Sequence, residues 1–199
     1  MLGADGGWSL AGVMKTDVRV GGRWIAAAVV AFAGCALAAG GDAGGSANGV
    51  FGDVREYPAG GFPFGIAAAD LDGDEVNDLV VSSYGDGDLS VLLATGDGFA
   101  SQLRYPAGAE ARAVVAADFD ADGVVDLAVT DSAFDEVVRR RGLGSGVFGP
   151  PLSTAVGMTP HALFAGELTG DALADVAVAN FVGSSAQILA RAGAGGINA

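Results

Sequence analysis

A run of alternating acids, Asp70-Leu-Asp-Gly-Asp-Glu-Val-Asn-Asp78, is followed at once by Leu79-Val-Val. The spacing returns as Asp118-Phe-Asp-Ala-Asp-Gly-Val-Val-Asp126 before Leu127-Ala-Val. It returns in weaker form as Glu167-Leu-Thr-Gly-Asp-Ala-Leu-Ala-Asp175 before Val176-Ala-Val. The starts are 48 and then 49 residues apart. A fixed period of that size restricts the chain to a repeat architecture, in which each unit is one small supersecondary element.

Acids at positions one, three, five and nine of a tight loop bring their oxygens toward one point. Their mutual repulsion is relieved by a hard cation that takes six to eight oxygens, and Ca²⁺ is the usual one. The first loop offers Asp70, Asp72, Asp74 and Asp78, with the backbone carbonyl of Val76 at position seven. The second offers Asp118, Asp120, Asp122 and Asp126, with the carbonyl of Val124. The third offers Glu167, Asp171 and Asp175, with the carbonyl of Leu173, and has Thr169 where an acid is expected. It is therefore expected to bind more weakly, or to be a turn that has lost its metal. No loop holds His or Cys, which argues against Zn²⁺. An EF-hand is excluded because position twelve is Val81, Val129 or Val178 rather than a bidentate Glu.

The other repeated signals point to strands. Phe51, Phe99 and Phe148 are in phase, as are Tyr57-Pro-Ala-Gly60, Tyr105-Pro-Ala-Gly108 and the degenerate Thr154-Ala-Val-Gly157. Short β-prone runs separated by Gly/Asp turns divide each unit into four strands. In the first unit they are expected at 51–57, 66–71, 78–82 and 89–94. In the second they are expected at 99–105, 113–119, 126–131 and 136–141, and in the third at 148–153, 161–168, 175–180 and 186–190. Four strands per unit of about 50 residues is the arithmetic of a β-propeller blade. The chain thus reads as all-β, with blades at about 51–98, 99–147 and 148–199. Three blades fall short of the four to eight of a closed propeller. The chain is expected to be an incomplete propeller: part of a larger one, or an arc completed by another subunit, with open blade edges prone to self-association.

These features together resemble the FG-GAP/VCBS repeats of bacterial surface proteins, related to the blades of integrin α-subunits. The resemblance rests on Phe51-Gly52, the Tyr-Pro-Ala-Gly segments, the acidic loops and the Leu/Val strand after each, and it covers Phe51 to about Gly196. It implies Ca²⁺ in the acidic hairpin of each blade. It also implies a role in adhesion or recognition, with a surface protein or a carbohydrate as partner. The alternative implied is an accessory module of a carbohydrate-active enzyme such as a polysaccharide lyase. The residues themselves carry no catalytic constellation: one His, no paired acids outside the loops and no Ser-His-Asp arrangement. The chain is expected not to be an enzyme.

Net charge is −14, and 12 of the 24 acids lie in the three loops. Much of the acidity is thus explained by cation sites, and nucleic acid is disfavoured as a partner. Ahead of the repeats, Lys15, Arg19 and Arg23 precede the apolar run Ile25 to Ala33. With Ala36-Leu-Ala38 as a cleavage site, residues 1–39 read as a secretory signal peptide starting at Met14. The run is short of the ~20 residues of a spanning helix. The expectation is export, to the medium or the cell surface. Cys35, the single cysteine, follows Phe32-Ala-Gly in a pattern that resembles a lipoprotein box, so a lipid anchor at Cys35 stands beside a passive role. Residues 40–50 read as a Gly-rich linker.

Two features break the pattern. Arg139-Arg-Arg141 occupies the strand where the first unit has Val91-Leu-Leu93 and the third has Ile188-Leu189. It reads as a degenerate strand, with a contact site for an anionic glycan as the functional alternative. His161 opens an inner strand with no nucleophile nearby, and a structural or surface role is expected for it.

Overall fold

The structure, a computed structural model, describes residues 54–190 in full and two backbone strands nearer the N-terminus. These two, β1 (Asp17–Val20) and β2 (Arg23–Ala26), pair as an antiparallel hairpin. The cleavage site, Cys35 and the 40–50 linker lie outside the described residues, as do Phe51 and Gly52.

Three antiparallel sheets follow in chain order. The first contains β3 (Pro63–Ala69), β4 (Asp78–Ser83), β5 (Asp88–Leu92) and β8 (Leu103–Pro106), side by side in that order. A small hairpin, β6 (Ala94–Thr95) with β7 (Gly98–Phe99), fills the connection from β5 to β8. The second sheet contains β9 (Ala111–Ala117), β10 (Asp126–Asp131), β11 (Glu136–Gly144) and β12 (Val147–Ala155). The third contains β13 (Pro160–Gly166), β14 (Asp175–Asn180) and β15 (Ser185–Leu189). β3 and β13 flank β9, so the leading strands of the three sheets lie together. These are propeller-type blades forming an open arc.

The blades are out of phase with the expected units. The strands expected to open the second and third units close the preceding sheets: Leu103–Pro106 pairs with β5, and Val147–Ala155 pairs with β11. The cause is local. Gly144 pairs with Val147 across Ser145 and Gly146, both with positive φ (54° and 71°). A two-residue turn with both central residues left-handed matches the twist of adjacent strands and folds the chain straight back. The observed blades therefore run 63–106, 111–155 and 160–189, rather than 51–98, 99–147 and 148–199. Residues 54–60 sit where β8 sits one repeat later, but they form no strand.

Alternation along the strands builds two cores. Val114, Leu127, Val129 and Val138 on one face of the second sheet meet Ala67, Val80, Leu89 and Val91 of the first. Ala113, Val115, Ala128 and Val137 on its other face meet Leu163, Val176, Val178 and Leu189 of the third. Each fully buried Val or Leu contributes about 1.5–3 kcal/mol, so this sheet-on-sheet burial holds the arc. The repeated aromatics bind adjacent repeats at the edge. Tyr57 meets Phe99 edge-on at 5.2 Å, and Tyr105 meets Phe148 edge-on at 5.4 Å.

The Arg-rich strand is regular, not degenerate: β11 pairs along both sides. Arg140 is buried toward the first sheet. Its Nε donates to the Pro106 carbonyl at 2.8 Å and its Nη1 to the Gly149 carbonyl at 2.5 Å, and it lies over the Tyr105 ring. Arg139 and Arg141 point the opposite way, into the second acidic loop.

Candidate metal centres

Each acidic loop is the connection between the first two strands of a blade, so all three stand at the same end of the arc. They share one backbone. Positions four and six have positive φ in every copy: Gly73 and Glu75, Ala121 and Gly123, Gly170 and Ala172. Two left-handed residues separated by one tighten the loop and turn alternate side chains inward.

The acids first satisfy the loop itself. At position one, Asp70 Oδ1 accepts the N–H of Gly73 at 2.7 Å and of Asp74 at 3.1 Å, while its Oδ2 accepts Glu75 N–H at 3.0 Å. Asp118 accepts Asp122 and Gly123 N–H in the same way. The longer Glu167 accepts Thr169 N–H at 2.9 Å and Gly170 N–H at 2.5 Å. At position five, Asp74, Asp122 and Asp171 each accept the N–H of the residue at position seven, Val76, Val124 and Leu173. At position nine, the fully buried Asp78, Asp126 and Asp175 each accept the N–H of position two. Asp78 and Asp126 also accept an N–H from the third strand region, Ala94 and Gly142, both at 2.7 Å. These buried acids staple the loop mouth to the blade.

Convergence follows. Oxygens of Asp70, Asp72 and Asp78 lie within 4.8 Å of one another, as do those of Asp118, Asp120 and Asp122, and those of Glu167, Asp171 and Asp175. Of the expected ligands, Asp74 and Asp126 are not in these triplets. All-oxygen donors at this separation suit Ca²⁺ rather than a metal that prefers nitrogen or sulfur. The first and third loops fit such an ion. Burial pushes the Asp78 carboxyl above the ordinary range, opposed by the Ala94 and Leu71 N–H groups and reinforced by Asp72 and Asp74. No Lys or Arg ion pair reaches Asp70, Asp72, Asp74 or Asp78 among the described residues.

The second loop differs. Arg139 Nη2 lies 2.7 Å from Asp120 Oδ2 and 3.0 Å from Asp126 Oδ2. Arg141 Nε lies 2.9 Å from Asp120 Oδ2, and its Nη2 lies 2.7 Å from Asp122 Oδ2. Burial raises the Asp126 carboxyl, with Gly142 N–H and Arg139 opposing. Asp122 is held below the usual range, first by Val124 N–H and then by Arg141. Arg141 is half exposed, and such a pair is worth about 0–1 kcal/mol. Arg139 is buried against buried acids, where loss of one partner costs about 3–5 kcal/mol. Arg139 therefore dominates. The sequence carried this signal as three arginines in an apolar strand, but not their destination.

The opposite end of the leading strands carries a second patch. Phe64, Arg112 and His161 hold equivalent positions in β3, β9 and β13. Arg112 lies over the rings of Tyr84 (4.8 Å) and Phe64 (5.4 Å), and Tyr84 donates to Glu110 at 2.9 Å. His161 stacks on Phe181 at 4.8 Å.

No curated protein matches the chain in sequence. The model of the FG-GAP-like repeat matches residues 70–129 and 118–178, overlapping spans that each run from one acidic loop through the next, or to the strand after it. Together they cover more than half of the chain, which belongs to the FG-GAP-like repeat family.

Proposed function

We propose that this repeat module binds calcium at its acidic hairpins, that the metal is structural, and that the module serves recognition or adhesion outside the cytoplasm. The observation that carries the reading is the convergence of oxygens from three acidic side chains in the first and third hairpins, each triplet including the buried position-nine carboxylate. A cation there neutralises clustered acids and locks the turn between the first two strands of a blade, which links metal binding to blade stability. Export and surface display rest on the leader-like residues 14–39, with Cys35 as the point of any lipid anchor. A protein or carbohydrate partner has the opposite end of the arc available, where Phe64, Tyr84, Arg112 and His161 present aromatic faces and a guanidinium. Such groups suit stacking and hydrogen bonding rather than catalysis, so the module is read as non-enzymatic.

The test is a thermal melt of the full chain with calcium and with chelator, alongside calcium titration by calorimetry. Calcium at 100 times its Kd stabilises by about 2.7 kcal/mol per site, and the melting temperature should rise accordingly. An unchanged melt with no heat of binding would refute the calcium reading.

A further inference from the structure

Position by position, the third strands of the blades differ where they face the acidic loops. Arg139 and Arg141 stand where the first blade has Val91 and Leu93 and the third has Ile188 and Ala190. Val91 and Leu93 offer the first loop no charge from that side. The second blade brings two guanidinium groups onto Asp120, one of which also reaches Asp126 and the other Asp122. The position-nine carboxylate, which joins the oxygen triplet in the first and third loops, is missing from it in the second. Asp126 there is taken up by Phe119 N–H, Gly142 N–H and Arg139.

Resting on the calcium reading of the hairpins, we infer that Arg139 and Arg141 take the place of the cation in the second hairpin. That hairpin closes without calcium, while the first and third close on it. A guanidinium supplies fixed positive charge and fork-shaped donors that match carboxylates. It differs from calcium in being covalently held, so the middle blade keeps its turn when calcium is withdrawn. The central blade is the one whose two faces pack on both neighbours. A permanently closed middle blade gives a scaffold on which the outer blades respond to calcium. Asp120 Oδ1, buried and without a hydrogen-bond partner, remains as a ready ligand once the guanidinium groups are removed.

The experiment is hydrogen–deuterium exchange of the full chain in calcium and in chelator, with calcium stoichiometry from calorimetry. Two ions should bind the unaltered chain. In chelator, the amides of residues 73–75 should lose protection by tenfold or more, and those of residues 122–124 should keep it. The double substitution Arg139→Val with Arg141→Leu, which installs the first blade's residues, should strip protection from 122–124 in chelator. Calcium should restore it, and a third ion should bind. Arg141→Leu alone is the milder variant should the double one not fold, and should weaken the same amides in chelator. Asp118→Asn in the otherwise unaltered chain should leave the stoichiometry at two.

Three bound ions falling to two with Asp118→Asn would overturn the inference, as would loss of protection at 122–124 in chelator in the unaltered chain. A folded double variant, or a folded Arg141→Leu variant, as protected as the parent in chelator would also overturn it. If instead the first and third hairpins ignore calcium, the calcium reading falls. Collapse of 122–124 in the variant would then still uphold the clamp.

Discussion

Gly108 packs against the carboxylate of Asp131 so closely that a Cβ on the glycine would stand 2.0 Å from Oδ2. The relationship repeats: Gly60 meets Ser83, and Gly157 meets Asn180, each pair one period from the last. Asp131, fully buried at the end of β10, accepts the N–H groups of Ala109 at 2.8 Å and Glu110 at 3.1 Å. The glycine at this position of each repeat thus lets the segment ahead of a blade lie on the end of that blade's second strand.

Gly108→Ala should destabilise the fold severely, by about 3 kcal/mol or more, since its φ of +121° adds backbone strain to the clash. Gly123→Ala, also at positive φ but with open space around it, should cost only about 1–2 kcal/mol. Denaturant melts of the two variants would check the order.

Ala121 is held at φ 59° at loop position four, where the other two copies have Gly73 and Gly170. Ala121→Gly should relieve left-handed strain and stabilise by up to about 1 kcal/mol. The measurement is the chemical-denaturation midpoint in chelator, where metal binding does not contribute.

Asp72 and Asp78 should separate metal binding from loop stapling. Asp72→Ala removes a member of the oxygen triplet that otherwise accepts one loop N–H, from Asp74. It should lower the melting temperature in calcium and change it little in chelator. Asp78→Ala strands the buried N–H groups of Leu71 and Ala94, and should cost about 2–4 kcal/mol in both conditions. The third hairpin, with Thr169 in place of an acid, should bind calcium more weakly than the first.

Arg140→Met should cost about 1–3 kcal/mol, because it leaves the buried carbonyl of Gly149 and the partly buried bond to the Pro106 carbonyl without their donor. The loss should fall on the contact between the first and second blades, and hydrogen exchange at 103–105 would report it.

His161 carries the pH dependence expected near neutrality. Burial, and then the positive Arg112, hold its imidazole below the ordinary value of 6.5, with Glu110 opposing. The folded state therefore binds this proton less readily than the unfolded chain. Stability should be fully present above the unfolded value and should fall as pH drops through 6.5 toward the lower folded value. His161→Phe should flatten that part of the profile, and an NMR titration of the imidazole should place its midpoint below 6.5.

Much of this architecture was legible in the chain. The period of 48–49 residues announces repeats, and alternation within short apolar runs announces strands. Asp126–Asp131 and Asp175–Asn180 form strands over the expected bounds. The acidic loops were equally plain, because local hydrogen bonding within nine residues dictates where their side chains turn. Tertiary structure alone decided the rest. Alternation separates two faces of a strand but does not say which sheet covers each, so the aim of Arg139 and Arg141 into a loop, and of Arg140 onto Pro106, was not readable. Nor was the blade phase, because the turn at Ser145-Gly146 commits Phe148 to the preceding sheet while the expected unit began there. The withdrawal of Asp126 from its oxygen triplet has the same origin. Sequence sets which groups a loop owns, and packing of a neighbouring strand sets which of them remain available.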